Sequence, residues 1–347
     1  MIEGENFTLY FLCTFLMPNT LFKYILYTGN HNIIIYFYKE ENIMERKYEC
    51  INETITVGDK TLYRIKALKD FGDVKADDLG GFLENEDNLN HEGNCWISDN
   101  ACVFGDAYVS DNAWVSGNAR VYDDAIVFGE ALICGDARVF GKAQVFGDAR
   151  VYGGAKVSDD TLVSDNAWVY GDARVFGKAQ VCGDACVSGK AQVFGNARIF
   201  DDTLVSDNAK VYEDAQIFEH ANVSGNAQVF GGAKVYGHAK VYDSANIFGI
   251  SVISGNATVC GEAKVYGIAA ITYNAYIQKD TDFIIVGPID QWSDYIYLYV
   301  NKENNVVCLY RSQIKVIGHV DDKETNKNYL LGYIDDAINI YQNTRSY

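Results

Sequence analysis

One hydrophobic pattern occupies the middle of the chain. From Ile97 to Ile277 every sixth residue is Val or Ile, which makes 31 consecutive six-residue units without an insertion. We number this aliphatic residue position one. Position two is mostly Phe, Tyr, Ser or Cys, position three Gly or Asp, position four often Asp or Asn, position five nearly always Ala, and position six mostly a long polar residue or Trp.

A repeat of six residues is too short for a pair of helices and predicts one short strand followed by one turn. Stacked units of this kind form a β-solenoid, in which each unit buries the aliphatic residue of its neighbours. Strand alternation directs positions five and one inward and positions six and two outward. Gly, Asp and Asn at positions three and four suit a tight bend that requires a positive φ.

The residues at position two indicate how many units complete one coil. Taking every third unit from residue 104 gives a set that is aromatic at nine of ten places, against three and five in the other two sets. We therefore expect an all-β solenoid with 18-residue coils, three faces and about ten coils, on the order of 50 Å long. The rings of this aromatic face are Phe104, Tyr122, Phe140, Phe176, Phe194, Tyr212, Phe230, Phe248 and Tyr266.

The aromatic face is also predicted to be basic. Its outward position six is basic in six coils, against two on each other face, and these residues are Arg120, Arg138, Lys156, Arg174, Lys210 and Lys264. Stacked rings and cations stabilise a prism by contacts within one face. They also form a candidate binding surface, because nine rings are a larger apolar patch than a monomer normally exposes. Sugar rings, an acidic ligand or a second copy of the chain would suit this surface.

Composition narrows the function classes. The net charge is −18 and the pI is about 4.6, which argues against a general nucleic-acid binder or a protein of anionic membranes, because both need positive surface. The nine cysteines are scattered and include no CxxC pair. We interpret them as reduced thiols of a cytoplasmic protein, and we expect neither a metal site nor a bound cofactor.

Residues 1–43 differ from the remainder of the chain. Their apolar run at residues 7–17 is too short to span a bilayer, and no basic segment precedes it as in a secretory signal. We interpret Met44 as the working start and residues 1–43 as a doubtful leader. A membrane-associating anchor and an additional cap are the alternatives.

The solenoid, residues 95–279, needs closure at both ends. We expect an N-terminal β cap at residues 44–94, with a hairpin turn at Gly58 and Asp59, and a small α+β domain at residues 280–347. That domain contains three apolar strand-like runs and a helical pattern at residues 329–341.

Two apolar clusters predict where the ends dock. Trp96, Trp114 and Leu132 occupy position six on three successive coils of one face, and we expect the cap to cover them. A ligand groove is the alternative there. At the other end we expect residues 280–347 to dock against Ile250 and Ile268, together with Val252 and Ala270.

The repeat is similar to the hexapeptide repeat of left-handed β-helix proteins, which include many acyltransferases. Upstream, Lys69–Ala76, Gly80–Phe82, Asn88–Leu89 and Gly93–Ile97 resemble the cap segment of the YdcK-like acyltransferase family. The resemblance covers roughly residues 62–280 and implies left-handed coils. It also implies acyl transfer in which a histidine acts as general base and acyl-CoA, the acyl donor, binds between subunits.

Two histidines in the coils bear on that activity. His220 and His238 both occupy corner position four, 18 residues apart, so the repeat places them on adjacent coils. Either would be the candidate base of an acyl-CoA-dependent acyltransferase. No inserted loop interrupts the repeats to shape a substrate pocket. We therefore favour a rigid scaffold or binding module without a catalytic residue, and the acyltransferase is the alternative.

Overall fold

A computed structural model describes residues 8–17, 20–29, 32–40, 45–286, 295–303, 305–310, 313–319 and 332–338. The chain divides into two compact units, residues 1–47 and 48–347. The first unit contains an antiparallel sheet of three strands in chain order, β1 (Thr8–Met17), β2 (Thr20–Gly29) and β3 (Asn32–Glu40). Within the described ranges, no helix has the length and apolar character needed to cross a membrane.

The second unit begins with the predicted hairpin. Strands β4 (Tyr48–Val57) and β5 (Lys60–Ala67) pair antiparallel, and the turn between them contains Gly58 at a φ of 66°. Strand β6 (Leu79–Leu83) pairs antiparallel with β5, and a short 3-10 helix follows at Glu86–Asn88. The hairpin prediction is therefore confirmed.

The solenoid contains 31 strands, β7 to β37, each made of one position-six and one position-one residue. Every strand pairs in parallel with the strand 18 residues away, as in the pairing of Val121 with Val139, so the coil has 18 residues as predicted. The aromatic face contains β8 (Cys102–Val103), β11 (Arg120–Val121), β14 (Arg138–Val139), β17 (Lys156–Val157), β20 (Arg174–Val175), β23 (Gln192–Val193), β26 (Lys210–Val211), β29 (Gln228–Val229), β32 (Asn246–Ile247) and β35 (Lys264–Val265).

The other two faces have the same construction. The face that we call the tryptophan face contains β7 (Trp96–Ile97), β10 (Trp114–Val115), β13 (Leu132–Ile133), β16 (Arg150–Val151), β19 (Trp168–Val169), β22 (Cys186–Val187), β25 (Leu204–Val205), β28 (Asn222–Val223), β31 (Lys240–Val241), β34 (Thr258–Val259) and β37 (Tyr276–Ile277). The third face contains β9 (Tyr108–Val109), β12 (Ile126–Val127), β15 (Gln144–Val145), β18 (Leu162–Val163), β21 (Gln180–Val181), β24 (Arg198–Ile199), β27 (Gln216–Ile217), β30 (Lys234–Val235), β33 (Val252–Ile253) and β36 (Ala270–Ile271).

Position one and the alanines of position five form one continuous core. Almost all of them are fully buried, which confirms the predicted alternation. Three coils carry a hydroxyl at position five, and each hydroxyl donates a hydrogen bond to the carbonyl three residues earlier: Thr161 to Ser158 at 2.7 Å, Thr203 to Phe200 at 3.1 Å and Ser251 to Phe248 at 2.9 Å. The buried oxygen is thereby satisfied, so the coil keeps its shape.

The corners turn at position three, where φ is positive whether the residue is Gly or an acid. At Gly141 an added Cβ would approach the backbone nitrogen of Asp159 to 2.7 Å, which shows how closely successive corners stack. An aspartate in the same conformation has a compensating contact, because its carboxylate accepts the backbone N–H 18 residues later. Asp99 accepts from Gly117 at 2.9 Å, and Asp165 accepts from Gly183 at 3.1 Å.

A small antiparallel sheet follows the last coil. Its strands are β38 (Phe283–Val286), β39 (Ile296–Val300), β40 (Asn305–Tyr310) and β41 (Gln313–His319), in chain order. The first three coincide with the predicted runs, and β41 was not predicted. Of the helix predicted at residues 329–341, the structure describes residues 332–338. Residues 334–338 are helical, and residues 332–333 form a turn.

This sheet packs on the end of the solenoid. The hydroxyl of Tyr297 donates to the carbonyl of Ile268 at 3.1 Å, Asn301 forms a β-bridge with Ala275, and Ala270 packs against the core. Docking at Ile268 and Ala270 agrees with the prediction. Ile250 was expected to be covered as well, but it is 65% exposed, because the described contacts of the sheet are made with the final coil.

Candidate functional site

The aromatic face places its rings in two stacks. Phe104, Tyr122 and Phe140 form the first, with ring centroids 5.0 and 4.9 Å apart and planes within 3° of parallel. The second stack has six rings, with centroids 4.8 to 5.5 Å apart, and contains Phe176, Phe194, Tyr212, Phe230, Phe248 and Tyr266. This arrangement follows from the repeat, because the backbone sets the same spacing as offset stacking.

Ser158 separates the two stacks. It occupies position two on the one coil of this face that lacks a ring, and it is buried. The rings themselves are half-buried, except Tyr266, which is 52% exposed. Their faces cover each other and their edges remain accessible. Burial raises the pKa of Tyr122.

A row of cations runs beside the rings. Arg120, Arg138, Arg174 and Lys210 are exposed at position six, and Lys156 is half-buried. Across the same face, in chain order, the row of cations is followed by the rings and then by a corner that carries two adjacent carboxylates in three of the coils and a lysine, Lys142 or Lys178, in two others. These exposed pairs are Asp123 with Asp124, Asp159 with Asp160, and Glu213 with Asp214. Lys264 is also exposed at position six, so all fifteen residues predicted for this surface lie on one face.

The N-terminal cap continues the sheet of the aromatic face. Strand β6 pairs in parallel with β8, where Phe82 lies opposite Cys102, and the guanidinium of Arg64 lies 4.2 Å from the centre of the Phe82 ring. Gly80 and Gly81 allow β6 to lie this close to the first coil. A Cβ at Gly80 would lie 2.5 Å from the side chain of Ile65, and one at Gly81 would lie 2.5 Å from the carbonyl oxygen of Ala101. The cap thereby extends this sheet beyond β8 by three strands, and β4 is its outermost strand at this end.

Glu84 fastens the cap to the first corner. Its carboxylate accepts hydrogen bonds from Lys60 at 2.7 Å and from the backbone N–H of Gly105 at 2.7 Å. The hydrogen bond from Lys60, and then that from Gly105, lowers the pKa of Glu84. Asn88 donates to the carbonyls of Gly105 and Ala107, both at 2.9 Å.

The tryptophan face differs from the prediction. Trp96 is buried, with the rings of Tyr48 and Phe71 in edge contact at 6.5 and 5.4 Å between centroids. Trp114 and Leu132 are only half-buried. The expectation that the cap covers all three residues was therefore wrong beyond the first coil, because the cap strands extend the aromatic-face sheet instead of crossing this face.

Beyond the cap, the tryptophan face contains a groove of about 850 Å³. One side consists of position-six residues on five successive coils: Trp114, Leu132, Arg150, Trp168 and Cys186. The other side is the adjoining corner, with Asn112, Glu130, Asp148, Asn166 and Asp184. The column of position-six residues at 18-residue intervals thus continues from the buried Trp96 into an open groove lined by polar and aromatic side chains.

Trp168 is the most accessible ring of the groove, with 41% of its surface exposed. The guanidinium of Arg150 lies 5.1 Å from its centre, and the ring of Tyr152 meets it edge-on at 6.2 Å. The groove that the sequence offers as an alternative lies around Trp96, Trp114 and Leu132, and Trp168 is outside that cluster. The 18-residue register, which places Trp168 three coils after Trp114, was the signal that could have found it.

The two coil histidines lie further along the same corner. The rings of His220 and His238 stack with centroids 4.8 Å apart, and Nδ1 of His220 is 3.2 Å from a carboxylate oxygen of Asp202. The side chain of His220 is 55% exposed. Among the described residues, no group of three or more His, Cys, Asp and Glu side chains has the arrangement of a metal site.

Comparison with known families agrees with this architecture. Residues 113–129, 143–159 and 191–207 match the family model described as the YdcK Beta solenoid repeat. All three segments lie in the solenoid, so the chain carries β-solenoid repeats of the YdcK type. None of the curated proteins matches the chain.

Proposed function

We propose that this chain, a β-solenoid with repeats similar to those of the YdcK family, is a rigid scaffold that binds an acidic surface through its aromatic face. The observation that carries the proposal is the row of exposed cations beside the stacked rings, in a chain whose net charge is −18. An acidic protein that concentrates its cations on one face is complementary to acidic partners at that face alone.

A second copy of the chain is the partner that this face fits best. Cations and rings follow one another across the face at the spacing of the coils, and the adjoining corner adds paired carboxylates in three coils. In a pair related by a two-fold axis parallel to the solenoid, the cations of each copy would face the carboxylates of the other. The ring edges would meet between them, as an isologous interface requires.

Sedimentation velocity of the full chain tests this association. We expect a dimer at micromolar concentration that dissociates more readily at high salt, because screening weakens contacts between exposed charges. Arg174→Glu should weaken the dimer at least tenfold. Arg198→Glu is the matched control, since Arg198 is also an exposed position-six arginine but lies on the third face. A monomer under all conditions, or equal effects of the two substitutions, would reject the proposal.

The acyltransferase is a second candidate with one observation in its favour. The carboxylate of Asp202 contacts Nδ1 of His220, an arrangement that orients an imidazole whose other nitrogen acts as a base. The regular coils provide no inserted loop around this corner. Calorimetric titration with acetyl-CoA distinguishes the candidates: binding that His220→Gln abolishes supports the enzyme, and the absence of heat counts against it.

A further inference from the structure

The groove of the tryptophan face is separate from the surface in the proposed function and shares no residue with it. We propose that this groove binds an extended glycan chain that carries no acidic groups. The argument rests on the spacing of its aromatic rings, the accessibility of Trp168, and the polar side chains of the adjoining corner.

The spacing of the coils matches the repeat of an extended sugar chain. Successive position-six side chains lie about 4.8 Å apart, so Trp114 and Trp168 are separated by about 14 Å along the solenoid. One coil therefore corresponds closely to the length of one pyranose residue. A glycan parallel to the solenoid axis would place its first and fourth sugars at the two indoles. The two sugars between them would face Leu132 and Arg150.

Trp168 has the properties of a stacking platform. The guanidinium of Arg150 lies over one face of the indole and Tyr152 contacts the ring edge-on, so the opposite face is the one left for a ligand. On the following coil its neighbour is Cys186, whose short side chain leaves space beside the indole. The C–H face of a sugar is apolar and packs on an indole, whereas its hydroxyl groups remain at the edges.

The adjoining corner supplies partners for those hydroxyl groups. Asn112 donates to Glu130 at 2.6 Å, and Asn166 donates to Asp184 at 2.9 Å, so amides and carboxylates are held in fixed orientations along the groove. The amides donate and accept hydrogen bonds and the carboxylates accept them, which suits hydroxyl groups that do both.

Charge selects among possible glycans. The lining has three carboxylates, Glu130, Asp148 and Asp184, and one guanidinium, Arg150. Acidic glycans would therefore be repelled.

Titration of the full chain with cellohexaose and chitohexaose, followed by calorimetry and tryptophan fluorescence, tests this inference. We expect at least one of them to bind, and the disaccharide of the same sugar to bind at least tenfold more weakly than that hexasaccharide, because a disaccharide cannot span both indoles. Trp168→Ala should lower the affinity at least tenfold, and Trp168→Phe should retain part of it. Tyr108→Ala is the matched control, since Tyr108 is an exposed position-six aromatic residue outside the groove.

Three outcomes would overturn the inference. The first is that neither hexasaccharide binds. The second is that Trp168→Ala and Tyr108→Ala have equal effects, which would indicate nonspecific stacking. The third is that a hexamer of galacturonic acid, or spermine, binds through Trp168 more tightly than cellohexaose and chitohexaose do. The thermal unfolding of each variant shows whether the solenoid remains folded, and none of these results depends on whether the chain dimerises.

Discussion

The aromatic face and the tryptophan face share one backbone and one core, yet they use aromatic residues in opposite ways. On the aromatic face the rings occupy position two in two runs of consecutive coils, and their faces cover each other at 4.8 to 5.5 Å. On the tryptophan face, Leu132 and Arg150 separate Trp114 from Trp168, and a groove opens between them. The comparison teaches that rings one coil apart cover each other, whereas two indoles three coils apart leave space between them for a ligand.

The largest expected effect comes from removing one ring from each face and comparing the free energies of unfolding. Phe194→Ser removes a half-buried ring with neighbours on both sides, and we expect it to lower the free energy of unfolding by about 2 kcal/mol. Trp168→Ala removes an exposed ring and should change that free energy by about 0.5 kcal/mol or less. Denaturant unfolding of both variants measures the difference, and equal losses would contradict the distinction between the faces.

The second test completes the interrupted stack. Ser158→Phe would place a ring between Phe140 and Phe176 and join the two stacks into one of ten rings. We expect stabilisation by about 1 kcal/mol, because the new ring gains stacking contacts on both sides. Ser158→Ala is the control, since it removes the hydroxyl without adding a ring. A Phe variant no more stable than the Ala variant would show that stacking contributes little here.

The smallest expected effect concerns the capped end of the aromatic face. Hydrogen bonds from Lys60 and Gly105 lower the pKa of Glu84, so its contribution to stability is complete above the unfolded pKa of about 4.3. As the pH falls below that value and through the lower pKa that Glu84 has in the folded protein, the stabilisation by Glu84 is lost. We expect acid to loosen the cap and shift the fluorescence of Trp96, which the cap buries.

Glu84→Gln provides the comparison for this pH dependence. The variant should lack the part of the acid transition that belongs to Glu84, because its amide does not titrate in this range. Superimposable fluorescence profiles for the two proteins between pH 6 and pH 2 would show that Glu84 does not hold the cap.

Much of this molecule follows from the sequence alone. The Val and Ile period, the 18-residue coil, the stacking of Phe176 on Phe194 and the hairpin around Gly58 are all readable from the pattern. The reason is physical: each coil meets the same neighbour 18 residues away, so one local rule applied repeatedly determines the core and every column of side chains.

The ends and the groove depended on the tertiary structure. The direction of β6, which continues the aromatic-face sheet, decided that the cap buries Trp96 and leaves Trp114 partly open. Docking of the C-terminal sheet on the final coil likewise left Ile250 exposed. These segments do not repeat, so their contacts arise once, between residues whose separation along the chain no periodic pattern encodes.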